Sequence, residues 1–151
     1  MVVFICILVL LAGCGQDAST AGVLTGQEPP KADIRVDGQL HETKLGSYCW
    51  TARCVDTIGA DEQLKGEEPV KVSHGAKVEF VMDYKPLPNK FNVLQMKEDG
   101  KHTELHVADH SFQAPIEKGV YYYSFGVWWM DSTRENVVHG DAFYHFVLEV
   151  A

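Results

Sequence analysis

The sequence lacks the motifs that usually indicate catalysis or nucleic-acid binding. It has no nucleophile elbow, no glycine-rich phosphate loop and no paired Cys–His arrangement. Basic residues are scarce, since 13 Lys and Arg face 21 Asp and Glu, and the formal net charge is -8. A chain this acidic lacks the basic face that nucleic acids and anionic membrane surfaces require. Four cysteines are also too few for a disulfide-dense scaffold. We therefore expect no nucleic-acid partner, and nothing in the sequence indicates an enzyme.

What the sequence does contain is typical of one ordinary globular domain. It has 151 residues, of which 46% are hydrophobic and 23% are charged. This composition excludes wholesale disorder, collagen and coiled coil, and the length suits a single domain.

The first fourteen residues predict export from the cell. Residues 2–12 form an apolar run without a charge, which is shorter than the ~20 residues of a membrane-spanning helix and fits the core of an export signal. The following Leu11-Ala12-Gly13-Cys14 resembles the lipobox of bacterial lipoproteins. The resemblance implies cleavage before Cys14 and attachment of diacylglycerol and acyl chains to it, which together anchor a protein stably. Export signals usually begin with a basic stretch, whereas the first basic residue here is Lys31, and the sequence leaves open whether the true start lies upstream of Met1.

The composition then changes twice along the chain. Residues 14–32 are small, polar and rich in Gly and Pro, so they are predicted to form a flexible tether behind the lipidated cysteine. Residues 1–13 are the predicted signal peptide, and residues 33–151 the folded domain.

Alternating apolar and polar residues predict that the folded domain is all-β. Gly100 lies in a hairpin turn between two such segments, and the single predicted helix is short. An immunoglobulin-like antiparallel β-sandwich is the preferred architecture, with a β-barrel as the alternative. The predicted strands include residues 34–36, 78–82, 91–97, 103–107, 120–130 and 142–150, and the helix spans residues 60–65.

Two cysteines remain in the predicted mature domain besides the lipidated one. Cys49 and Cys54 have the spacing of a clamp across a tight hairpin, and a close pair oxidises readily outside the cytoplasm. Their spacing is a poor match to redox or zinc motifs. The strings Gly46-Ser47-Tyr48-Cys49-Trp50 and Gly119-Val120-Tyr121-Tyr122-Tyr123, with Gly126-Val127-Trp128-Trp129, resemble a group of small lipoproteins of Gram-positive bacteria. The resemblance supports the lipid anchor and the disulfide and implies no mechanism.

A metal site is one candidate for the function. His102, Glu104 and His106 alternate along a predicted strand, so their side chains would share one face and could bind one ion. The alternative is a solvent-exposed polar face with Leu105 and Val107 turned inward.

An aromatic strand is the second candidate. Residues 121, 123, 125, 127 and 129 are expected to face the core, which leaves Tyr122 and Trp128 on the other face for a partner. The adjacent loop contributes Arg134. The alternatives are that a second layer covers this face, or that a tyrosine hydroxyl ties down a sandwich corner. Gly126 within the strand predicts a bulge or a close approach of another segment.

Three functions remain open, in order of preference. The first is a module anchored on the outer face of the bacterial cell membrane that binds an extracellular protein, peptide or glycan. The second is an envelope lipoprotein that binds a metal ion, the one cofactor considered besides the covalent lipid on Cys14. The third is a small hydrolase, which ranks last because no nucleophile and base can be named together.

Overall fold

A computed structural model describes residues 24–151. The predicted signal peptide, Cys14 and the first part of the predicted tether lie outside the described residues. Within residues 24–151 the chain forms strands and one short helix, with these bounds: β1 Asp33–Val36, β2 Gln39–Glu42, β3 Lys44–Trp50, β4 Arg53–Val55, α1 Ala60–Gln63, β5 Val70–Val72, β6 Lys77–Val81, β7 Lys90–Lys97, β8 His102–Leu105, β9 Ser111–Gln113, β10 Gly119–Met130 and β11 Val138–Val150.

The strands form two sheets that pack face to face. The smaller sheet has the order β2-β1-β6-β9, and the larger has the order β4-β3-β11-β10-β7-β8. The short β5 joins the larger sheet by pairing in parallel with the end of β11. In the described part of the chain β4, β8, β2 and β9 are edge strands, so neither sheet closes on itself. The predicted all-β sandwich is confirmed, and the alternative barrel is wrong.

The core between the sheets is built largely from aromatic rings. The predicted inward residues of β10, from Tyr121 to Trp129 in steps of two, are all at most 3% exposed. Phe80 of the small sheet stacks on Phe125 at a centroid distance of 4.5 Å. Alternation along β10 therefore decides which rings enter the core and which remain on the outer face of the larger sheet.

Residues 24–32 pack against the sandwich, which differs from the predicted free tether. Leu24 is only 8% exposed and Ala32 only 4%. Trp50 donates its indole N–H to the Thr25 carbonyl, and the Tyr144 hydroxyl donates to the Pro30 carbonyl. The sequence places the domain boundary at residue 33, because residues 24–32 contain few apolar side chains that could be buried. The aromatic partners that hold it come from distant strands.

Within residues 24–151 there is no helix of the length and hydrophobicity needed to cross a membrane.

Candidate functional site

An aromatic pair lies on the outer face of the larger sheet, where β10 and β11 run side by side. Trp128 and Phe143 meet edge to face with ring centroids 5.6 Å apart, and both side chains are half-buried. Lys90 of the neighbouring β7 places its Nζ 5.8 Å from the centroid of the Trp128 ring. We call Trp128, Phe143 and Lys90 the aromatic platform. Its rings offer apolar area and its ammonium offers a charge, a combination suited to recognising a ligand.

Gly126 makes this arrangement of rings feasible. It pairs with Phe143 on one side and Asn92 on the other, so it lies in the middle of the sheet. A Cβ atom built here would lie 2.8 Å from both the Phe143 and the Trp128 rings. The two rings therefore lean over the glycine from either side, and the predicted close approach at Gly126 is present in the structure.

The other end of the same face is covered by α1. Tyr122 lies there, half-buried against an apolar cluster that includes Ala60, Leu64, Met96 and Val147. The structure thus separates Tyr122 from Trp128, although strand alternation places both on the same face. Tyr122 belongs to the covered half of the outer face, and the aromatic platform belongs to the open half.

His145 is buried beneath the same helix. It is 5% exposed, and its Nδ1 lies 2.6 Å from the side-chain oxygen of Gln63. Because Gln63 donates its amide N–H to the Leu45 carbonyl, its oxygen accepts and the imidazole donates. The ring lies over Gly46, where a Cβ would be only 2.6 Å from it. Burial lowers the pKa of His145 to about 4, with nearby Asp61 opposing the shift, so the imidazole is neutral at pH 7.

Ser124 lies directly opposite His145 in the β10–β11 register, a placement that would suit a nucleophile–base pair. The imidazole, however, leans towards Gly46 on the opposite side of β11 from Ser124 and is bonded to Gln63. No hydrogen bond joins Ser124 to His145 within residues 24–151. The arrangement is that of a structural histidine and does not support acyl transfer.

Arg134 has an internal partner in the loop between β10 and β11. Its guanidinium donates to the carboxylate of Asp131 through both Nε, at 3.2 Å, and Nη2, at 2.9 Å. The same carboxylate accepts from the backbone and hydroxyl of Thr133 and lies 3.0 Å from His139 Nε2. The Arg134 hydrogen bond, followed by those of Thr133, holds the pKa of Asp131 well below its usual value. Arg134 therefore shapes this loop, although its side chain remains 65% exposed.

The predicted metal ligands do not converge into a site. His102 and Glu104 share the outer face of the edge strand β8, as expected, while β8 ends at Leu105 and His106 follows beyond it. Glu104 accepts a hydrogen bond from Asn92. No group of three or more His, Cys, Asp or Glu side chains between Leu24 and Ala151 is arranged to hold an ion. The inward orientation predicted for Leu105 and Val107 is present, since both pack against the core.

The predicted disulfide is confirmed. Cys49 and Cys54 are directly opposite in the β3–β4 hairpin and are bonded to each other. The Cys49 amide donates to the carboxylate of Asp141, which pairs with Trp128 across the sheet. The disulfide thus stiffens the strand next to the aromatic platform.

Comparison with known proteins adds no family assignment, because no family model, curated protein or solved structure matches the chain.

Two structural features of this face could not be anticipated from local sequence. The burial of His145 depends on α1, which is distant in the chain and covers a residue that alternation alone places in solvent. The contact of Lys90 with Trp128 depends on the β7–β10 register. The signal available in the sequence was Gly126, whose missing side chain indicated a close approach at this position.

Proposed function

We propose that the protein is a lipid-anchored module on the outer face of the bacterial cell membrane that binds an extracellular protein, peptide or glycan through the aromatic platform. The anchor rests on the lipobox-like segment ending in Cys14. The binding role rests on the two rings at the open half of the outer face, beside Lys90, which has no carboxylate partner within residues 24–151.

The observation that carries the binding role is the arrangement of Trp128 and Phe143 over Gly126. The helix α1 covers Tyr122 at the other end of this face, whereas Trp128 is not part of that cluster and is only half-buried. The rings are held by the sheet and by each other, so little side-chain entropy would be lost when a ligand stacks on them. Tryptophan is also among the residues that most often dominate binding energy.

Binding of an arrayed panel of glycans, peptides and cell-envelope proteins to the full chain in detergent tests the proposal. We expect a ligand whose affinity falls at least tenfold in Trp128→Ala. Ile116→Ala is the matched control, because Ile116 is 74% exposed in the loop before β10, away from the platform, and its truncation should leave the affinity unchanged.

Two outcomes would contradict the proposal. A ligand that binds wild type and Trp128→Ala equally well would place the binding surface elsewhere. Loss of the cooperative melting transition in Trp128→Ala would show that Trp128 is needed for the fold, which contradicts its role as an open contact residue.

A further inference from the structure

The larger sheet has an open main-chain edge beside the aromatic platform. The ladder between β7 and β8 ends at the pair Val93–Leu105, while the ladder between β7 and β10 continues to the pair Lys90–Trp128. Within residues 24–151, the first three residues of β7, 90–92, are thus paired on one side only. The chain after Leu105 leaves the sheet to reach the smaller one.

The direction of the main-chain groups at this edge follows from the alternation along β7. The Lys97 amide donates to the Lys101 carbonyl at the turn that leads into β8. Residues two apart in a strand direct their N–H and C=O groups to the same side, so those of Gln95, Val93 and Phe91 also face the β8 side. No main-chain hydrogen bond within residues 24–151 joins Phe91 to that side. Phe91 therefore presents a free donor and a free acceptor at the edge.

A groove runs along this edge. It has a volume of about 540 Å³ and lies between the start of β7 and the segment that follows β8. Its lining residues are Asn89, Lys90, Phe91, Asn92, Glu104, Leu105, His106 and Val107.

The two sides of the groove differ in chemistry. On the outer side Lys90 is exposed, contacts the Trp128 ring and has no carboxylate partner within 4.0 Å in the described range. On the inner side the half-buried Phe91 ring lies against His110, with ring centroids 4.6 Å apart. An occupant would thus meet a cation on one face and aromatic surface on the other.

We propose that this groove binds an extended peptide segment of a partner protein, which adds as a strand antiparallel to β7 at Phe91. This inference rests on the proposed function and specifies its ligand. Main-chain hydrogen bonds to Phe91 supply the attachment, and alternate side chains supply the selectivity. The residue opposite Phe91 turns its side chain to the inner side and is apolar. Its neighbours turn to the outer side, where an acidic side chain pairs with Lys90.

A blocked hexapeptide of alternating valine and glutamate is the probe, and amide hydrogen exchange of the full chain in detergent is the measurement. In the free protein we expect the Phe91 amide to exchange at least tenfold faster than the Val93 amide, which faces β8. Saturating peptide should slow exchange at Phe91 at least tenfold and leave Val93 unchanged.

Modified peptides provide matched controls. In an antiparallel pair the residue opposite Phe91 directs its own N–H at Phe91. Methylating the valine nitrogens should therefore abolish protection, whereas methylating the glutamate nitrogens, which face solvent, should preserve it. Replacing glutamate by lysine should weaken binding at least tenfold, and Lys90→Glu should reverse that preference. Lys77→Glu, on the smaller sheet, is the control and should leave the preference for glutamate unchanged.

The proposal is overturned if the peptide fails to protect Phe91, or if the peptide methylated on its valines protects it equally. A glycan whose affinity depends on Trp128, found together with no peptide protection, would overturn the strand addition and leave the proposed function standing. Failure of both measurements would count against the proposed function itself.

Discussion

Acidification should destabilise the domain through His145. The folded pKa of this imidazole is about 4, against 6.5 for an unperturbed histidine, because burial disfavours its charged form. The unfolded chain therefore takes up a proton between these two values while the native protein does not. The stabilisation that comes from burying the neutral His145 imidazole is therefore complete above pH 6.5, and it is lost as the pH falls towards 4.

The size of the effect follows from the same two pKa values. Between pH 7 and pH 4.5 the difference in proton binding amounts to a loss of about 2 kcal/mol in the free energy of unfolding. Urea unfolding of wild type and His145→Asn at both pH values measures it. The asparagine keeps a donor for Gln63 but does not titrate, and groups elsewhere titrate equally in both proteins. The difference between the two pH dependences therefore isolates His145.

We expect wild type to lose about 2 kcal/mol more than His145→Asn over this range. A direct NMR titration should show that the His145 imidazole stays neutral down to pH 5. Equal pH dependence in the two proteins, or an imidazole that protonates near pH 6.5, would refute the reasoning that α1 buries this histidine.

Three further variants test the fold around the site. Replacing Cys49 and Cys54 by serine should lower the free energy of unfolding by about 2 kcal/mol, the value for so short a loop, and reductant should then have no further effect on urea unfolding. Gly126→Val should lower it by about 1–3 kcal/mol and shift the tryptophan emission, because the added side chain overlaps both platform rings; an unchanged melt and spectrum would contradict the packing. Leu24→Ala should lower the free energy of unfolding by about 2 kcal/mol, because it opens a gap beside Trp50. An unaltered melting temperature would show that Leu24 does not pack against the domain and belongs to the flexible tether.

The sandwich was predictable because alternation is a local signal with a strong physical cause. The inward set of β10, from Tyr121 to Trp129, could be read two residues at a time, because Ser124 and Gly126 in the middle of the strand mark the other face. The β7–β8 hairpin was equally clear from Gly100, which has the positive φ of 77° that such a turn needs. The disulfide followed from the close spacing of its cysteines.

The features that depend on distant contacts were not predictable. The packing of residues 24–32 needs Trp50 and Tyr144, and nothing in the composition of that segment reveals these partners. The separation of Tyr122 from Trp128 needs α1, whose position over one half of the sheet is a tertiary fact. Periodicity could place His102 and Glu104 on one face, but it could not say whether a third ligand would meet them.

The claim on which the proposed function depends is that the domain is presented outside the membrane on a lipid attached to Cys14. Mass spectrometry of the N-terminal peptide, purified from the membrane fraction of the native host, measures this directly. We expect a chain that begins at Cys14 and carries diacylglycerol on its sulfur, and a Cys14→Ser chain that lacks the lipid. An unprocessed chain in the cytoplasm, with an unmodified Cys14 and reduced Cys49 and Cys54, would contradict both the lipid anchor and the proposed location outside the membrane.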